Sequence, residues 1–164
     1  MGFSGLRTYD ADIETAFAFL CDVDNATARY ESAGDRDIEV LRAEADGDGF
    51  VIECRRVVEV DLPGFAKKVL QPSNTVTQTD TWGAPEADGS RSGTYLVSVD
   101  GAPVKTAGTM SLEPSDDGCV HHIEGQITVK IPLIGGRIAK WAEGTARQSL
   151  EHELDFNADQ LDSD

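Results

Sequence analysis

The C-terminal stretch constrains the fold more than any other part of this chain. From residue 134 onward, apolar side chains recur at Ile134, Ile138, Trp141, Ala142, Ala146, Leu150, Leu154, Ala158 and Leu161, with polar residues around them. That spacing is one face of a helix. A helix over about 134–161 is roughly 40 Å long, and a single apolar stripe of that length must be buried against something equally wide. The residues before it supply a sheet. Between about 37 and 131 the hydrophobic period is two, over DIEVLRAEA, FVIECRRVVEV, NTVTQTDTW, SGTYLVSV, VKTAGTMSLE and CVHHIEGQITVKI. Gly47-Asp48-Gly49, GAPEADGSR, DGAP and PSDDG are the turn-forming connections. The segment LPGFAKKVLQP, with its two prolines, reads as a turn plus one helical turn.

Ahead of these six strands, residues 3–9 form a first strand, and Asp12 can cap a helix over IETAFAFLC, where Ile13, Phe17 and Leu20 repeat at helical spacing. A second short helix starts near Asn25 and ends at Gly34. The order is strand, two helices, six strands, one long helix. It predicts one α+β domain over 1–164, with a curved antiparallel sheet of about seven strands wrapped around the C-terminal helix. The last few residues are expected to be disordered.

Composition narrows the function classes. The 164 residues carry 30 acidic and 14 basic side chains, a formal net charge of -16. Such a polyanion repels nucleic-acid phosphates and anionic bilayers. Neither a nucleic-acid partner nor stable membrane insertion is expected, and only Arg55-Arg56 and Lys67-Lys68 look like fragments of a basic patch. The acidity reads as solubility or adaptation to a salty cytoplasm, or else as attraction for a cationic partner. Cys21, Cys54 and Cys119 lie far apart beside apolar residues and read as reduced core thiols. The N-terminus lacks a signal-peptide pattern and no apolar run is long enough to span a bilayer, so a cytoplasmic location is expected.

No GxSxG, HExxH or glycine-rich nucleotide loop occurs, so no catalytic residue, metal site or cofactor is assigned. The notable residues are polar ones at inward positions. Arg56 shares parity with Cys54 and Val58. It either reaches the sheet rim with its head in water, pairs with Asp80 on the next strand, or clamps a ligand carboxylate. Asp80 shares a face with Val76, Gln78 and Trp82, but the opposite threonine face of that strand could equally be the inner one. His121 points inward with Ile123 and Ile127, His122 points outward, and His152 lies on the long helix. Gly135-Gly136 either lets the chain turn into the helix or offers backbone N–H groups to an anion. Gly144, in mid-helix, marks either a close approach of the sheet or an open cavity. Trp82, Tyr95, Met110, Ile123 and Trp141 are the large side chains expected around such a space.

The element order resembles the START-like superfamily, whose helix-grip fold is shared by birch-pollen-type allergens, aromatase/cyclases and lipid-transfer domains. The tail VKIPLIGGRIAKWAEGTARQSLEHELDF, Trp82-Gly83 and LPGFAKKVL are similar to an uncharacterised actinobacterial family within it. The resemblance covers nearly the whole chain and implies a cavity between sheet and helix that holds a lipid or other hydrophobic small molecule. Two other functions are weighed beside it. One is an enzyme of the cyclase or dehydratase kind, using Arg56, Asp80 and His121. The other is a protein-interaction module with no ligand.

Overall fold

The computed structural model describes residues 2–162, and the disorder expected of the last residues falls mainly outside that range. The strands are β1 (Gly2–Tyr9), β2 (Arg36–Asp46), β3 (Gly49–Glu59), β4 (Ser73–Trp82), β5 (Arg91–Val99), β6 (Val104–Ser115) and β7 (Gly118–Val129). The helices are α1 (Ile13–Cys21), α2 (Val23–Ser32) and α3 (Gly135–Leu161), with one 3-10 turn at Gly64–Ala66. All strands pair antiparallel in a single sheet ordered β1-β7-β6-β5-β4-β3-β2. β2 to β7 form a meander, and β1 adds beside β7, so α1 and α2 carry the chain from one edge of the sheet to the other.

Local signals explain the boundaries. The Asp12 carboxylate accepts from the Thr15 N–H and caps α1, while Asp22 caps α2 through the Asn25 N–H. The second helix therefore begins at Val23, two residues before the expected start near Asn25. In the β2–β3 hairpin Gly47 has φ +60°, and a Cβ at Gly49 would lie 2.0 Å from the Trp82 carbonyl oxygen. The turn at Gly47 favours glycine, and the close approach at Gly49 requires it.

The long helix holds the sheet at two places. Near its start Ile138 and Ala139 are buried, and near its end Leu150, Leu154, Asn157 and Ala158 are buried; no residue between these groups is. The first group joins Leu62, Ala66, Leu70 and Val104, and the second joins Tyr9, Met110, Leu112, Cys119 and Ile123. Close approach at the second comes from β1: a Cβ at Gly5 would lie 2.7 Å from Leu150 Cδ2 and 3.1 Å from Leu154 Cδ1. Gly135 fits against the end of β7, 2.7 Å from the Val129 carbonyl oxygen by the same measure. The turn into α3 thus explains it without an anion.

The cysteines are all free and buried, as expected. The basic residues depart from the sequence reading. Arg56 is buried and Arg55 faces Asp100 at 3.8 Å, so that pair forms no patch. Lys67 and Lys68 are joined instead by Lys105, Lys130, Arg137 and Lys140, all exposed around the Leu62–Ile138 cluster. Arg137 stacks 4.1 Å over Phe65 there. Among the described residues, no helix is long and apolar enough to cross a membrane.

Candidate functional site

Where the middle of α3 leaves the sheet uncovered, a cavity of about 210 Å³ opens between them. Register decides what lines it. Asp80 lies across from Tyr95, Tyr95 from Gly108, Gly108 from Gly125, and Gly125 from Phe3. The Tyr95 ring lies flat along this row: a Cβ at Gly108 would be 2.7 Å from its Cε1, and one at Gly125 2.3 Å from its Oη. Two glycines in the sheet therefore make the bed for one aromatic floor. The neighbouring row runs Trp82, Gly93, Met110, Ile123 across β4 to β7. Val76, Gln78, Asp80 and Trp82 are thus the inner face of β4, which resolves the ambiguity in favour of the first alternative and turns the threonines outward.

Arg56 points inward and away from water, with its Nε donating to Asp35 Oδ2 at 2.8 Å and its guanidinium 3.9 Å over the Tyr30 ring. It does not sit at the rim, and it does not pair directly with Asp80. The register puts Val76 across from Arg56 and Asp80 across from Ile52, four residues away, or about 13 Å along the strand. Gln78 spans the gap, accepting from Arg56 Nη2 and donating to Asp80 Oδ1, each at 2.9 Å. Burial pushes the Asp80 carboxyl up to about 6, against the Gln78 hydrogen bond, and the nearby Glu153 charge adds to the rise.

A second arginine lines the cavity from α2. Arg29 is 4% exposed, and its Nε lies 3.5 Å from Glu153 Oε1 on α3 without hydrogen-bond geometry. Its Nε and Nη1 have no hydrogen-bond partner, and the same is true of Tyr95 Oη and His121 Nε2. His121 is fixed from behind. Asn157 Nδ2 donates to Tyr9 Oη at 3.2 Å, and that hydroxyl lies 2.7 Å from His121 Nδ1. The arrangement that satisfies the buried hydroxyl has Tyr9 donate to Nδ1, which leaves the proton of the neutral imidazole on Nε2. Burial, helped by the Arg29 charge, lowers His121 to about 3, so the ring is neutral at physiological pH.

Of the nine candidate residues, Arg56, Asp80, Trp82, Tyr95, Met110, His121 and Ile123 come together on this cavity, and Trp141 and Gly144 do not. Trp141 packs in the Leu62–Ile138 cluster at the other end of α3. Gly144 is exposed and a Cβ there would meet nothing within 4 Å, so it marks neither a close approach nor a cavity. Ala146, two positions and about 200° further round the helix, is the small residue that faces the space. His152 bonds Ser32 Oγ at 3.1 Å on the surface and does not meet His121.

Sequence reasoning missed Arg29, Gln78 and Glu153, which supply much of the polar wall. A signal existed. Ala26, Arg29 and Tyr30, and likewise Leu150, Glu153 and Leu154, have the i, i+3, i+4 spacing of one helix face, which puts a charged residue on each apolar stripe.

Sheet and long helix together have the START-like, helix-grip fold. Residues 6–161 match the family described as "Protein of unknown function (DUF2505)", and the chain belongs to that family. No curated protein matches the sequence. Among solved structures, the protein TTHA0849 from Thermus thermophilus is similar at 14% identity and TM-score 0.68, with 98% of this chain and 97% of that one covered. A STAR-related lipid transfer protein from Xanthomonas axonopodis is similar at 16% identity and TM-score 0.67, with 98% and 85% covered. Human STARD10 is similar at 12% identity and TM-score 0.63, with 96% of this chain and 63% of that one covered. These likenesses are of fold.

Proposed function

We propose that the protein binds or carries one hydrophobic small molecule in the cavity between sheet and α3, without catalysing its conversion. The cavity carries this reading: about 210 Å³, with Phe3, Leu20, Trp82, Met110, Ile123 and Leu150 on its wall. A closed apolar space of about 150 Å³ already accepts benzene, and drug-sized ligands occupy about 300–1,000 Å³. The occupant is therefore one or two rings, or the end of a longer chain that leaves past Ser149, which is both exposed and on the cavity wall. A two-chain lipid exceeds this volume. The Xanthomonas neighbour is by name a lipid transfer protein, which agrees with cargo of apolar character.

The enzymatic alternative draws support from one observation, the raised Asp80 carboxyl. Its other two members are less suited to proton transfer. Arg56 is occupied by Asp35, Gln78 and Tyr30, and His121 is held neutral. Native mass spectrometry of freshly purified protein tests the carrier reading, followed by denaturing extraction. A discrete added mass that leaves on denaturation is expected. An unliganded spectrum, both from fresh protein and after incubation with small aromatic and aliphatic probes, would overturn it.

A further inference from the structure

Charge in this chain is sorted between the two ends of the sheet. The turns β2–β3, β4–β5 and β6–β7 share one end; Asp46, Asp48, Glu86, Asp88, Asp116 and Asp117 lie there, and no basic residue falls within those turns. The connections β3–β4, β5–β6 and β7–α3 share the other end, where Lys67, Lys68, Lys105, Lys130, Arg137 and Lys140 gather. Two contacts tie this end together. Arg137 stacks over Phe65, and the Lys130 N–H donates to the Pro103 carbonyl at 3.0 Å, beside Lys105.

These six differ from every other cation of the protein. All of the chain's lysines are among them. The remaining basic side chains are arginines, and each lies within ion-pair distance of a carboxylate. Among the described residues none of the six has such a partner, although acidic residues outnumber basic ones 30 to 14. The acids near this end are matched by arginines: Asp37 and Glu59 by Arg36, Asp100 by Arg55, and Glu143 by Arg147. Asp61 is left to offset the group.

An apolar side chain projects from the same surface. Leu133 stands between Lys130 and Arg137 in the β7–α3 connection and is 104% exposed. Its φ is +71°, and the Ile134 N–H donates to the Pro132 carbonyl at 2.8 Å, closing a three-residue turn around it. A turn of this kind with positive φ is rare and strained for a leucine. Strain held at a side chain that packs on nothing in its own protein points to a contact outside it.

We infer that this end of the protein is a reversible docking surface for an anionic lipid bilayer. Leu133 enters the headgroup layer, and the six cations around it meet lipid phosphates. An apolar anchor and a basic patch together hold a protein at a membrane where either alone is marginal. The net charge of -16 does not prevent this. Strands of nine to twelve residues put the acidic turns roughly 30 Å away, several Debye lengths at physiological salt. The same separation orients the molecule, since its acidic end is repelled. Composition favours a bilayer over a protein, because protein interfaces are enriched in arginine and depleted in lysine. Nucleic acid would engage the cations but offers Leu133 no apolar layer. The surface lies apart from the cavity, so this inference and the carrier reading stand or fall separately.

Co-sedimentation of the full chain with lipid vesicles tests it. Binding is expected to vesicles of phosphatidylcholine mixed with phosphatidylglycerol, with little to phosphatidylcholine alone. It should be lost in about 1 M salt, where the Debye length is about 3 Å. Replacing both Lys67→Gln and Lys68→Gln should weaken binding about 25-fold, or about fivefold per charge. Leu133→Gly should weaken it about tenfold without lowering the thermal midpoint, because glycine accepts the positive φ. Arg42→Gln, outside this surface, should leave binding unchanged.

No binding to the mixed vesicles, or equal binding to phosphatidylcholine alone, would overturn the docking surface. So would an affinity unmoved by the lysine pair or by Leu133→Gly in folded variants. Duplex DNA or polyglutamate bound as tightly as the mixed vesicles would overturn the bilayer as the partner.

Discussion

Replacing Asp80 by asparagine isolates the cost of keeping a carboxylate in the cavity wall. Asparagine preserves the side-chain size and the oxygen that accepts from Gln78 Nε2. In the folded protein the Asp80 carboxyl titrates at about 6, against 3.8 without the fold. A raised carboxyl binds its proton more tightly in the folded state. Its favourable contribution is therefore fully present below about pH 3.8 and is lost as pH rises through about 6. A difference of about two pH units corresponds to roughly 3 kcal/mol at neutral pH and above. The Asp80→Asn variant has no such loss. It should be about 3 kcal/mol more stable than wild type at pH 8, and this advantage should fall by roughly 2 kcal/mol as pH descends to 4.5. Urea denaturation of both proteins at stepped pH measures the difference and cancels every other titrating group. An advantage that does not change with pH, or a variant less stable than wild type at pH 8, would refute the reasoning. The second outcome would mean that Arg29 and Arg56 more than offset the burial of Asp80.

His121 titrates in the opposite sense. Its lowered pKa of about 3 means that its contribution is present above about pH 6.5 and is lost as pH falls toward 3. His121→Phe should cost about 1–3 kcal/mol at pH 8, because the Tyr9 hydroxyl loses its acceptor. That deficit should shrink below about pH 6.5, as followed by the same denaturation series. The two glycines that bear on α3 should respond in opposite directions. Gly5→Val drives a side chain into Leu150 and Leu154 and should lose about 1–3 kcal/mol. Gly144→Ala meets nothing and should gain up to about 1 kcal/mol. Thermal denaturation distinguishes both from no change.

The fold was legible because its two periods are strong and its turns are chemically marked. The long helix requires a wide partner, and the alternating strands with their Gly-Asp and Pro-Gly connections allow a single meander. The site was legible only as far as parity reaches. Parity turned Arg56, His121 and Ile123 inward, left the face carrying Asp80 and Trp82 undecided, and does not fix cross-strand register. Of the three readings left open for Arg56, neither the rim nor a direct pair with Asp80 is found: Arg56 pairs with Asp35, and Gln78 bridges it to Asp80.

Gly144 misled for a different reason. A glycine in a helix signals an unusual environment only where its own face is buried, and the face of Gly144 is turned to solvent while Ala146 faces the sheet. The glycines that matter, Gly5, Gly108 and Gly125, lie in strands, and what each accommodates comes from elsewhere in the chain. Arg29 and Glu153 were missed because α3 was read only for its apolar stripe and α2 only for its bounds, whereas the charged residues on those helix faces are what line the cavity.

The chain contains two methionines, Met1 and Met110, and Met110 lines the cavity. Carbon-13 labelling of the methionine methyl groups thus provides a reporter of occupancy, read by NMR while tetralin is titrated into the protein. The Met110 signal should shift saturably, and Ala146→Phe, which fills the space from α3, should abolish the response. A Met110 methyl indifferent to saturating tetralin, or a response that survives Ala146→Phe unchanged, would contradict the claim that this cavity is where the protein takes its ligand.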